Sequence, residues 1–101
     1  MAARDCEMRV LMFIVDRVLP GLTPEALVET QRCLQEAVRR VSRSGEAVRY
    51  LRCTFIPEQQ RCLDLFEAAS AETVRNVNDI AQVPYRSIGE ASEDTAPGIA
   101  T

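Results

Sequence analysis

The chain has 101 residues, 47% of them hydrophobic and 27% charged, with a net charge of −3, the profile of one globular domain. All 12 basic residues are Arg, and Lys, His and Trp are absent. That excludes Ser-His-Asp and Cys-His catalysis, Schiff-base lysine chemistry, the lysine-bearing phosphate loop and every His-containing zinc site.

Residues 1–7 read as a flexible leader. Asp5 and Glu7 stand where a signal peptide needs positive charge. Met8 to Leu19 reads as a strand whose apolar run, Val10 to Val15, is too short for a membrane span. A half-buried strand alternates, so the continuous run implies cover on both faces. Pro20-Gly21 ends it. Thr23, Pro24 and Glu25 then open a helix with a capping side chain, a proline at the first helical position and an acid at the positive end. Leu27, Leu34, Ala37, Val38 and Val41 form its apolar stripe, and Gly45 stops it. Arg39, Arg40 and Arg43 cluster near its C-terminal end, where cations complement the dipole. The acidic balance of the whole chain argues against nucleic acid as a partner.

Val48 to Ile56 and Arg61 to Glu67 read as a hairpin around Pro57-Glu58-Gln59-Gln60. A four-residue turn pairs Phe55 with Cys62, Cys53 with Asp64 and Leu51 with Phe66. It sends Tyr50, Arg52, Thr54 and Ile56 to the opposite face, with Glu67 opposite Tyr50 and Leu65 opposite Arg52. Ser70 caps a second helix carrying Val74, Val77 and Ala81, which Val83-Pro84 breaks. Tyr85 to Ala91 reads as a last short strand. Residues 92–101 are acidic and poor in large apolar side chains, the composition of a disordered tail.

The order is βαββαβ over residues 8–91, which predicts an α+β, ferredoxin-like domain: a four-stranded antiparallel sheet with two helices on one face. The other face is too apolar to stay bare, which predicts a homodimer joined through the sheet.

At this point the residues resemble a known family. Phe13-Ile14-Val15-Asp16-Arg17 with Leu19-Pro20-Gly21, then Val48-Arg49-Tyr50-Leu51-Arg52, Arg61 to Ala68, Ser70 to Arg75 and Val83 to Ile88 are similar, in order and spacing, to a bacterial family of short ferredoxin-like proteins. It was long carried as a domain of unknown function (DUF4242-like) and is often called nickel-binding. The resemblance implies a ferredoxin-like fold, a dimer and, in part of the family, nickel as the bound metal. Relatives often carry a His near Arg52 and a Cys where Asp64 sits. This chain has no His, so the imidazole share of that ligand set is missing.

Candidate site residues gather on the hairpin. Asp64 stands between Leu63 and Leu65, and a carboxylate in an apolar strand needs a partner. It reads either as a general base in a pocket or as the structural mate of an arginine. Cys53 and Cys62 share its face, and with Asp64 they offer a soft metal two thiolates and a carboxylate. They read equally as two small buried hydrophobes. None of the four cysteines forms a Cys-x-x-Cys pair, and reduced thiols in a cytoplasmic protein are expected. Tyr50 and Arg52 together suit an anionic or aromatic ligand. Asp16 and Arg17 point to opposite faces, so one of them bridges to another strand.

The reading is a small dimeric ligand- or metal-binding protein with its site near the hairpin, acting on neither nucleic acid nor membrane. The alternative is a cofactor-free enzyme of isomerase, cyclase or monooxygenase type, acting on a small apolar substrate between sheet and helices. Asp64 would be its base, with Arg52 or Tyr50 as electrophilic partner.

Overall fold

The computed structural model describes residues 10–92. The elements are β1 (Leu11–Val18), α1 (Pro24–Arg43), β2 (Val48–Ile56), a 3-10 turn (Pro57–Gln59), β3 (Arg61–Ala68), α2 (Ala71–Ala81) and β4 (Ser87–Ala91). The strands form one sheet in the order β2-β3-β1-β4, each neighbouring pair antiparallel. This is the expected ferredoxin-like arrangement. The expected leader and nearly all of the expected tail lie outside the described residues.

Local chemistry sets the boundaries. The Thr23 hydroxyl accepts from the Ala26 amide at 3.1 Å, and Pro24 follows at the first helical position. α1 then buries Leu34, Ala37, Val38 and Val41, all on the expected stripe, while Leu27 is half-buried. Gly45 takes a φ of 103° just past its end, a backbone state that glycine adopts without steric penalty. The Ser70 hydroxyl caps α2 through the Thr73 amide, and α2 buries Val74 and Val77 against the sheet. The hairpin turn closes between Ile56 and Arg61, as expected. The first strand lies inside the expected Met8 to Leu19, since pairing to β3 runs from Leu11 to Val18.

One side of the sheet meets the helices. Phe13, Val15, Phe66 and Ala68 project there and form the core with Leu34, Val38, Val41, Val74 and Val77. The outer side carries Met12, Ile14, Asp16 and Val18, all half-buried. Cover on both faces of β1 is therefore not supplied by the helices: burial alternates along the strand, as on a one-sided sheet.

The hairpin departs from the expected register at one point. Tyr50 pairs with Phe66 and Arg52 with Leu65, so Leu51 is the extra residue of a β-bulge. Cys53 opposite Asp64, Phe55 opposite Cys62 and Arg52 opposite Leu65 stand as read. Leu51 opposite Phe66 and Glu67 opposite Tyr50 do not. The bulge reverses the side of Tyr50, which turns inward and stacks on Phe66 with ring centroids 4.9 Å apart and 18° between planes. Tyr50 and Arg52 therefore do not project together. A bulge shifts the two-residue alternation by one position, which sends these two side chains to opposite faces.

Candidate functional site

The helix-facing side of the hairpin holds a buried polar chain. Arg17 is fully buried and Asp64 is 2% exposed. The Arg17 Nε donates to Asp64 Oδ2 at 2.8 Å. Tyr50 donates its hydroxyl to the other carboxylate oxygen at 2.6 Å. A terminal nitrogen of Arg17 donates to Asn78 Oδ1 at 2.7 Å, and its other one to the Pro84 carbonyl at 3.2 Å. Asn78 completes the chain by donating to the Val74 carbonyl at 2.8 Å.

Such a charge pair would be expensive to bury if any polar atom stayed unmatched. Among the described residues no buried side-chain nitrogen or oxygen lacks a hydrogen-bond partner. Both Asp64 oxygens are engaged, one by a cation and one by a neutral donor. The network ties β1, β2 and β3 to α2 and to the segment leading into β4.

Cys53 and Cys62 border this chain on the same face. Burial, reinforced by the Asp64 charge, pushes the Cys53 thiol up to about 12. The same two causes raise the Cys62 thiol. Burial and then the Asp64 charge raise the Tyr50 hydroxyl as well, so it remains a donor. A crevice of about 250 Å³ between α1 and the β2 edge reaches this region, lined by Gln31, Gln35, Tyr50, Leu51, Arg52 and Cys53.

The outer face differs. A depression of about 170 Å³ runs over Met12, Ile14, Leu63 and Leu65, with Arg52, Thr54, Ala91 and Ser92 at its rim. Beside it Arg61 grips Asp16 with two hydrogen bonds of 3.0 Å each. The Arg61 hydrogen bonds, followed by its charge, hold the Asp16 carboxyl below its ordinary value despite partial burial.

The structure thus brings Asp64, Cys53, Cys62 and Tyr50 together, while Arg52 projects to the outer face and also lines the crevice. Asp16 and Arg17 do point to opposite faces, and both bridge to β3. Sequence reasoning did not assign Arg17 as the partner of Asp64, nor Asn78 as its further support. The signal was present: Arg17 follows Phe13 and Val15 at the strand period of two, and Asn78 follows Val74 by one helical turn.

Fold and site define a small ferredoxin-like α+β protein with a neutralised ion pair beneath its hairpin. The chain belongs to the family described as nickel responsive protein SCO4226-like, whose model matches residues 13–90. This is the expected kind of family, by its nickel-responsive description. The crystal structure of SCO4226 from Streptomyces coelicolor A3(2) superposes with a TM-score of 0.71 at 20% identity, covering 83% of this chain and 99% of that one. At that identity the likeness speaks for the fold. No curated protein matches the chain.

The described residues do not fit a nickel ion. Nickel is well served by imidazole nitrogen, and the chain has no His. No group of three or more Cys, Asp or Glu among the described residues is arranged to hold a metal. Asp64 has given both oxygens to Tyr50 and Arg17.

Proposed function

We propose that this member of the nickel-responsive family is a small homodimeric binding protein whose ligand enters the crevice between α1 and the hairpin. The commitment of Asp64 carries the reading. A general base needs a free oxygen within reach of substrate. Here both oxygens are matched inside the protein, which supports a structural carboxylate over a general base.

The crevice supports binding. Gln31, Gln35, Tyr50, Arg52 and Cys53 line it, a largely polar wall suited to a small polar ligand. The outer face supports the dimer. Met12, Ile14 and Leu63 are half-buried there, and neither described helix packs over them. Two copies meeting across a two-fold axis would bury these side chains against their equivalents. No described helix is long and apolar enough to cross a membrane.

Native mass spectrometry of the untagged protein, purified without chelator, tests this reading. The expected result is a dimer carrying a small adduct that leaves on denaturation. Replacing Gln35 by Leu, a change on an exposed helical position, should reduce the adduct while the dimer persists. A bare monomer, or turnover that survives Asp64→Asn, would contradict it.

A further inference from the structure

We propose that Cys53 and Cys62 form a two-thiolate site for a soft monovalent cation of the Cu(I) kind at the floor of the hairpin crevice. The proposal rests on reading that crevice as the binding site and names what it takes. The strand register carries it. Cys53 stands opposite Asp64 and Cys62 opposite Phe55, so the two cysteines are diagonal neighbours on one face. Diagonal neighbours on adjacent antiparallel strands are about 7–8 Å apart, with their Cβ atoms somewhat closer. A disulfide needs Cβ atoms about 3.5–4.5 Å apart, so the pair is too wide for a direct bond. A single ion bonded to both sulfurs, at about 2.3 Å each as for zinc thiolates, spans the wider gap.

The chemistry of the donors selects the ion. Thiolates prefer soft cations such as Cu(I), whereas carboxylates suit harder ones. Asp64 is a hard donor and its oxygens are taken, which leaves two sulfurs and a demand for low coordination. Zinc and nickel call for more ligands than the described residues bring together. Access is asymmetric. Cys53 is half-buried and lines the crevice, while Cys62 is 1% exposed behind it. An ion would meet Cys53 first and then be sealed against Cys62, away from water. Burial and the Asp64 charge raise both thiols, so the ion must displace two firmly held protons and uptake should strengthen as pH rises. On binding, two S–H bonds break, two S–Cu bonds form and two protons pass to buffer. Copper stays Cu(I), so no electron moves.

The test uses the full reduced chain carrying Cys6→Ser and Cys33→Ser, which keeps only the hairpin pair. Cu(I) alone is titrated in competition with a chromogenic Cu(I) chelator. The expected result is one Cu(I) withdrawn per chain, with a new thiolate-to-metal ultraviolet band. Cys53→Ser should abolish uptake with the circular dichroism unchanged. Cys62→Ala, which keeps an apolar side chain at the buried position, should do the same. Retention of all copper by the chelator overturns the proposal, as does uptake that survives either substitution. Stoichiometric Ni(II) uptake by the same two cysteines overturns the choice of ion. If native mass spectrometry still finds a small adduct while Cu(I) is refused, the crevice reading stands and the thiolate site falls.

Discussion

On the helix-covered side of the sheet, charged and polar groups are few and each is matched within the protein. On the outer side apolar side chains stand half-covered, with an ion pair at their border. The same four strands supply both surfaces, alternating residue by residue. Arg17 and Asp16 are chain neighbours, yet one is sealed against Asp64 and Asn78 and the other meets Arg61 near solvent. The contrast teaches where to look for function. The most conspicuous residue in the sequence, Asp64, has both oxygens hydrogen-bonded within the protein. The crevice and the outer face keep unfilled capacity.

The sharpest way to break this contrast is to orphan the buried charge. Arg17→Met should destabilise the domain by about 3–5 kcal/mol, because Asp64 would remain buried without its cation. That is a large share of the roughly 5–15 kcal/mol that holds a typical domain, so urea unfolding should shift strongly or the protein should fail to accumulate. Arg17→Met combined with Asp64→Leu should recover much of the loss, since both charges leave together. A double variant no better than the single one would mean that the pair is not the unit of cost.

Tyr50→Phe is a finer probe of the same side. It keeps the stack on Phe66 and removes the 2.6 Å hydrogen bond to Asp64. Losing a donor to a buried carboxylate is expected to cost about 1–3 kcal/mol in denaturant unfolding. An unchanged midpoint would show that water replaces the phenol. Thr23→Ala lies away from both faces and should cost only about 1 kcal/mol, the worth of one helix cap, in the same assay.

The smallest effect is on the outer border. Asp16 has a folded-state value below its ordinary 3.8 because Arg61 hydrogen-bonds its charged form. A lowered carboxylate stabilises the fold above its unfolded value and stops doing so as pH falls through the lowered one. Its contribution should therefore be complete at neutral pH and fade only below about pH 4. In Arg61→Gln, NMR titration should find Asp16 moved up toward the ordinary value. No movement would show that Arg61 is not the cause.

Much of the fold was legible in the sequence because its signals are local. Thr23 with Pro24, Ser70, and the Pro57–Gln60 turn each mark a boundary with their own side chains or backbone. Cys53 and Asp64 were placed opposite each other by counting from that turn. The count failed beyond Leu51, since a bulge leaves no signature among its own residues. Here Tyr50 lies inward, where it reaches both Phe66 and Asp64, and those are long-range contacts. Arg17 and Asn78 were missed for a related reason. Each sits at the right period to face inward, but their meeting depends on how α2 crosses the sheet.

In the proposed dimer the outer face completes itself in a second copy, while the inner network serves the single chain. Sedimentation equilibrium of the native protein and of Leu63→Arg tests it most directly. Leu63 is half-buried in the outer depression, and an arginine there would set like charges together across a two-fold axis. The account predicts a dimer for the native protein and a folded monomer, with unchanged far-ultraviolet circular dichroism, for the variant. A native monomer at all concentrations, or a Leu63→Arg protein that remains dimeric, would contradict it.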